Sequence, residues 1–229
     1  MTIVSIRQPI YLPYLGFFKK IQSSDVFVFL DDVQYERGDF DNRNKIRTNE
    51  GFMWLTVPVY NKFGQTFMNA KIVINQNWNK KHRNSIELNY RKAPYFETYS
   101  KDIFSILEKK WENLIDLNLE FIKYFSSVLD LTTKTIRSSK LGITSTKSER
   151  LLEICKMHGA TVYLSGELGK NYLDEKIFYN AGIEILYEKF HHPTYNQIHG
   201  RFIPNMSIID LLFNEGDKSK EILLNSKNL

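Results

Sequence analysis

The sequence predicts a three-layer α/β fold built on a mainly parallel sheet, and three observations lead there. Two short apolar runs, residues 2–6 (TIVSI) and 25–30 (DVFVFL), are joined through FFKKIQSS, whose apolar residues fall at helical spacing. Two more apolar runs, 161–165 (TVYLS) and 183–188 (IEILYE), are separated by a further helical pattern. Between these pairs, a block from about 78 to 158 shows helical spacing and forms an insertion in the middle of the chain. A strand apolar on both faces, reached through a helix from another apolar strand, marks a parallel βαβ unit with a right-handed crossover, so the start is Rossmann-like. With 229 residues, 42% of them apolar, the chain can bury one sizeable core, and residues 1–229 are read as a single domain.

The first strand stops at about Gln8, because Pro9 and Pro13 prevent regular continuation. Gly16 precedes the first helix, and Asp31 and Asp32 end the second strand. Residues 33–51 are polar and aromatic without periodicity, which predicts a long loop carrying DNRNK at 41–45. FMWLTVPVY (52–60) and MNAKIVI (68–74) read as two strands of a small hairpin, with Pro58 keeping the first at an edge. From Trp78 to Leu131, residues such as Ile103, Leu107, Leu114, Phe121 and Phe125 recur at three- and four-residue steps, and Pro94 breaks the helices. Ser148 is the expected cap of a helix ending near His158, with Gly159 as its stop. Near the carboxyl end, Ser207 caps and Gly216 stops one helix, and 218–226 form a last one.

Lys and Arg exceed Asp and Glu by 31 − 26 = 5, a balance that suits an acidic ligand such as a nucleotide. Many of the lysines stand among asparagines (Asn79, Lys80, Lys81; Lys218, Lys220; Lys227, Asn228) and read as solvated surface, so nucleic acid is not expected as a partner. The lone Cys155 excludes an internal disulfide framework and a multi-cysteine zinc site, and it lies on an apolar stripe with Leu151 and Leu152. No secretory leader and no membrane span are expected, and a cytoplasmic location follows. The sequence identifies no cofactor and no metal site, and it contains no internal repeat.

In an open parallel sheet, the ligand crevice lies outside the carboxyl ends of the strands. Gln8, Tyr11, one of Asp31 and Asp32, Asn42, Arg43, Ser165, Gly166 and one of His191 and His192 are expected to line one cleft there. Asn42, Arg43 and Asn44 set a guanidinium fork between two amides, suited to phosphate or carboxylate. The backbone after Gly16 can bind an anion at a helix N-terminus. Ser165 and Gly166, then Gly169 and Lys170, allow close backbone approach of a ligand. Tyr195, Gln197 and Phe202 add aromatic and amide surface. His191 and His192 follow the fourth strand at the ligand edge, which makes them the general-base candidates, whereas His82, His158 and His199 read as helix surface, helix end and loop.

The strand, Pro-bearing loop and glycine at the start also resemble those of the HIGH-type nucleotidylyl transferases, but Phe17 and Phe18 stand where that group has an imidazole. A fuller resemblance covers essentially the whole chain. RQPIYLPYLGFFKKIQSSDVFVFLDDVQY, DNRNKI, RKAPYF, SGELGKNYL, FHHPTYNQ and FIPNMSIIDLLFNEG follow in the order found in the WbqC-like family, from which this chain departs at Arg7 and at SGELG. The family resembles a set of bacterial proteins that accompany enzymes of O-antigen type surface polysaccharide biosynthesis. The resemblance implies a nucleotide-linked sugar pathway, and an acyl or aminoacyl carrier is the candidate donor. A transferase that modifies a nucleotide-linked amino sugar is the expected activity, with a nucleotide-activating ligase and a non-catalytic binding protein as alternatives. On this expectation the diphosphate docks near Arg43 and the helix after Gly16. His191 or His192 removes the amine proton, with Asp32 orienting the histidine or serving as the base itself.

Overall fold

The structure, a computed structural model, describes residues 1–60 and 64–227, so Asn228 lies outside the described residues. Its central sheet is formed by β1 (Ile3–Arg7), β2 (Val26–Phe29), β5 (Lys134–Arg137), β6 (Val162–Gly166) and β7 (Glu184–Glu188), in the order β5-β2-β1-β6-β7. Every neighbouring pair in this sheet is parallel, with Val4 opposite Val26 and Ser5 opposite Leu164 on the two sides of β1. The chain therefore winds outward from β1 to β5, returns to the other side of β1, and winds outward again to β7. That reversal sets a topological switch point between β1 and β6.

The two-residue period of β2 explains the three layers. Phe27 and Phe29 point to one face, where they meet Phe17, Phe18 and Ile21 of α1 (Leu15–Gln22) and Phe121 and Phe125 of α4 (Leu114–Val128). Val26 and Val28 point to the other face and share a core with Val4 and Ile6, Ile154 and Cys155 of α5 (Lys147–Met157), and Phe178 of α6 (Glu175–Asn180). Buried on both faces, this strand has no polar position among its four residues.

The middle of the chain differs from the expectation in three places. The helical block does contain α2 (Trp78–Tyr90), α3 (Phe96–Glu108), α4 and α5, but β5 interrupts it and forms an edge of the main sheet. Its four residues, KTIR, are half-exposed and half-cationic, so the strand lacks the apolar run that marks the central strands. The expected loop of 33–51 contains β3 (Arg43–Thr48), which pairs with β4 (Gly51–Thr56) as the observed hairpin. Residues 68–74 are not its second strand. They run between two 3₁₀ turns and meet the segment after β4 through the isolated Val59–Ile72 bridge.

Ser148 lies inside α5, whose N-cap position is held by Thr146 without a side-chain capping bond. The Ser148 hydroxyl instead accepts the Asp174 N–H at 2.9 Å, tying down the start of α6. Ser207 does precede α7 (Ile208–Glu215), without a side-chain capping bond, and Gly216 ends that helix at φ 55° before α8 (Lys218–Asn225).

Candidate functional site

A cleft of about 490 Å³ opens at the switch point. β1 ends in Arg7, β6 ends in Ser165 and Gly166, and β7 ends in Glu188, and all of these line it. Its floor is ionic. Lys20 projects from α1 to within 3.5 Å of the Glu188 carboxylate, and the two side chains are only 2% and 7% exposed. Glu188 Oε1 is buried without a partner. The Arg7 guanidinium lies 5.7 Å from the ring centres of both Tyr14 and Phe17 and donates to the Tyr14 hydroxyl at 3.4 Å. Burial pulls the Lys20 ammonium down to about 8, with Glu188 opposing the shift and Arg7 adding to it.

Two cations and one carboxylate therefore meet in a poorly solvated floor, with Asp39 and Glu167 also in the lining, and a ligand that brings an anion to Arg7 and Lys20 and a hydrogen-bond donor to the bare Glu188 oxygen matches these groups. The walls are aromatic. Tyr14 and Phe190 meet edge to face at 6.1 Å, and Tyr172 is 65% exposed on the opposite rim. A second cavity of about 500 Å³ between α4 and β5 is lined by Ile21, Phe29, Leu119 and Ile122 and lies to the side of the switch point. Its Arg137 is already committed to Asp31 at 2.6 Å.

Ser165 and Gly166 stand in the switch-point cleft, and Gly16 lies directly beside it. A Cβ on Gly16 would fall 2.5 Å from Tyr14 Cε2 and 2.8 Å from Phe190 Cδ1, so those rings cover the start of α1. Gln8, one residue past Arg7, donates to the Gln34 carbonyl at 3.1 Å. Tyr11 is fully buried, with its hydroxyl 2.9 Å from His82 Nδ1. His82 is thus a core residue rather than helix surface, and burial lowers it to about 4.

Asp31 and Asp32 gather a separate cluster around the end of β5. Asp31 accepts from Arg137 Nε at 2.6 Å, Ser139 N at 2.9 Å and Ser139 Oγ at 2.8 Å. Asp32 is held by the Ser138 hydroxyl and by Arg150. Asn42 and Asn44 root the hairpin: Asn42 donates to the Val57 carbonyl at 2.8 Å, and Asn44 donates to the Tyr11 and Leu12 carbonyls at 3.2 and 2.8 Å. Arg43 lies over the Trp54 ring at 4.4 Å.

The His191 ring is exposed, and its backbone N–H donates to the Lys227 carbonyl at 3.1 Å. His192 packs behind the cleft wall, 5.7 Å from the Phe190 ring centre, with Tyr195 and Phe202 on its other sides. Burial lowers its pKa, and its Nε2 is buried without a partner. Tyr195 is also buried and donates to Asp210 at 2.7 Å.

Arg7, Lys20 and Glu188 are absent from the sequence-derived set, although each left a signal. Lys20 falls three residues after Phe17 and one before Ile21, on the apolar stripe of its helix, where a lysine has no business unless it has a buried partner. Glu188 and Arg7 are the charged residues at the carboxyl ends of β7 and β1, the edge at which the crevice rule places a ligand.

The strand order and the crevice outside the ends of β1 and β6 define a doubly wound parallel α/β protein with a cleft at its switch point. The chain belongs to the WbqC-like protein family, whose model matches residues 8–222. It is 34% identical over 227 residues to the uncharacterized protein Rv1507c of Mycobacterium tuberculosis, covering 97% of this chain and 98% of that one. No solved structure matches it. Among the described residues, no helix is long and apolar enough to cross a membrane, and no group of three His, Cys, Asp or Glu side chains is arranged to hold a metal ion.

Proposed function

We propose that the protein is a transferase that places an acyl or aminoacyl group on the amine of a nucleotide-linked amino sugar bound in the switch-point cleft. The observation that carries this reading is the cleft floor, where Arg7 and Lys20 stand beside a buried carboxylate with a bare oxygen. The two cations suit the diphosphate, and the bare Glu188 oxygen suits an ammonium or amine donor. Because the rings over Gly16 cover the helix start, Arg7 and Lys20 take the anion-binding role that position in the sequence suggested for Gly16 and Arg43.

Sugar amines are largely protonated at neutral pH and must lose a proton before attack. Glu188 accepts that proton in this scheme. His192 stands one ring deeper, and Asp32 is engaged by Ser138 and Arg150. The amine then attacks the carbonyl carbon of a thioester donor, forming the C–N bond as the C–S bond breaks, and the thiolate leaves to be protonated. Phe17 and Phe18 are buried in the core, which disfavours the nucleotidylyl-transfer alternative.

Calorimetric titration with UDP-glucosamine tests the binding half of the proposal. Saturable binding that Arg7→Ala weakens by about tenfold or more is expected, as for loss of a charge-assisted contact. Mass spectrometry of the sugar after incubation with an acyl thioester then tests transfer. Binding without any acylated product from any thioester would reduce the protein to a sugar-nucleotide binder. Absence of binding to UDP-linked sugars would end the reading.

A further inference from the structure

The β3–β4 hairpin presents one face to the core and one to solvent. Asn44, Ile46 and Leu55 point inward and are buried. On the outer face, Lys45 stands opposite Trp54, Arg43 opposite Thr56 and Arg47 opposite Phe52. Phe52 is 48% and Trp54 37% exposed, an unusual exposure for two large rings that touch each other at 6.4 Å. Lys45 Nζ lies 5.0 Å from the Phe52 ring centre and 5.7 Å from that of Trp54, and Arg43 lies over Trp54 at 4.4 Å. Arg47 is buried and spent on backbone carbonyls, among them His199 O at 2.6 Å and Arg201 O at 3.0 Å. The six residues of this face include no acid, and the hairpin's one acid, Glu50, lies in the turn that joins its strands.

The face adjoins the cleft mouth along two paths. Phe40, which packs on Trp54 at 5.8 Å, follows Asp39 of the cleft lining, and the Lys45 carbonyl accepts the N–H of Ser207, two residues past Asn205 of that lining.

We propose that this aromatic, cationic face docks an acidic carrier protein, which delivers the acyl or aminoacyl donor to the adjacent cleft. The proposal rests on the transferase reading for the carrier's purpose and on the hairpin alone for its docking. Charge complementarity selects an acidic partner, and exposed Trp and Phe flanked by cations supply the anchor residues that protein interfaces concentrate. A nucleic acid would need free ring faces for its bases, whereas here Arg43 and Lys45 lie against the rings. An anionic bilayer surface is the competing occupant for rings flanked by cations, and binding to anionic vesicles tests it.

The test uses a purified bacterial acyl carrier protein bearing its phosphopantetheine arm as the probe, titrated at 20 and 300 mM salt. Saturable binding that weakens at high salt is expected, together with a loss of about tenfold or more for Lys45→Glu and for Trp54→Ala, each checked for an unchanged circular dichroism spectrum and melting temperature. No binding of the carrier, binding indifferent to both hairpin variants, or hairpin-dependent binding to phosphatidylglycerol vesicles in its place would each overturn the proposal. Carrier binding by a protein that binds no UDP-glucosamine would sink the cleft reading while leaving the docking face intact.

Discussion

The Lys20–Glu188 pair gives the sharpest test of the cleft floor, because its energetics depend on which partner is removed. At 3.5 Å and an effective dielectric of about 20, their attraction is about 5 kcal/mol. Desolvating two nearly buried ions costs several kcal/mol each, so the intact pair contributes little net stability. Removing one partner exposes that cost. Glu188→Gln strands the ammonium, and shedding its proton at pH 7 costs about 5 kcal/mol relative to an ordinary lysine. Lys20→Met strands the carboxylate, whose protonation costs about 4 kcal/mol at most, and less with Arg7 nearby. The double variant Lys20→Met, Glu188→Leu removes both charges and should fall within about 2 kcal/mol of the parent or exceed it. Urea unfolding at pH 7 reads all four proteins, with constant slopes confirming that the transition is the same. For a chain of this size, each kcal/mol corresponds to roughly 2–4 °C in melting temperature. If the double variant loses the sum of the two single losses, the charges are individually stabilising and the account of an under-satisfied, ligand-awaiting floor is wrong.

Three further outcomes follow from the same contacts. Gly16→Ala should cost about 1–3 kcal/mol, because its methyl group meets the Tyr14 and Phe190 rings, and an unchanged melting temperature would mean that those rings move freely. Asp210 accepts from the Tyr90 hydroxyl at 2.8 Å, and from the Tyr195 hydroxyl and Gln197 Nε2 at 2.7 Å each. Asp210→Ala should therefore cost about 3–5 kcal/mol by urea unfolding, and a loss under about 1 kcal/mol would show that the three donors find other partners. Burial raises the Asp41 carboxyl to about 7, so ionising it opposes folding: the cost is absent below its unfolded value near pH 4, grows as pH rises, and reaches about 4 kcal/mol above pH 7. Asp41→Asn should accordingly raise the melting temperature at pH 8 and leave it nearly unchanged at pH 4, and equal effects at both would show that this carboxyl is not the cause.

Much of the sheet was written in local pattern. TIVSI, DVFVFL and TVYLS became β1, β2 and β6 because buried central strands must be apolar at nearly every position, and the ILY of IEILYE gave the edge strand β7 the same local signal. The stop signals were equally local: Gly159 and Gly216 both adopt positive φ after helices, at 62° and 55°. RNKIRT was less legible, since only Ile46 among its inward residues is apolar, and the amide of Asn44 replaces a hydrophobic contact with two carbonyl bonds that only the folded chain supplies. KTIR was hidden because only Ile136 of its four residues is apolar and two are cationic, a composition that local pattern does not mark as a strand.

The edge of the sheet at which a cleft opens was thus deducible from strand ends, and Ser165 and Gly166 line that cleft. Whether a polar side chain at such an edge is free or consumed is a different question, and it depends on residues far away in the chain. Asp31 meets Ser139 across 108 positions, Tyr195 meets Asp210, and Lys20 meets Glu188 across most of the chain. Sequence by itself determined the layers, the parallel winding and the crevice edge, because alternation and helix spacing are short-range consequences of burial. The tertiary structure alone decided which charges face one another in that crevice, because the partners that satisfy or strand a buried ion are brought together only when β1, β6 and β7 lie side by side.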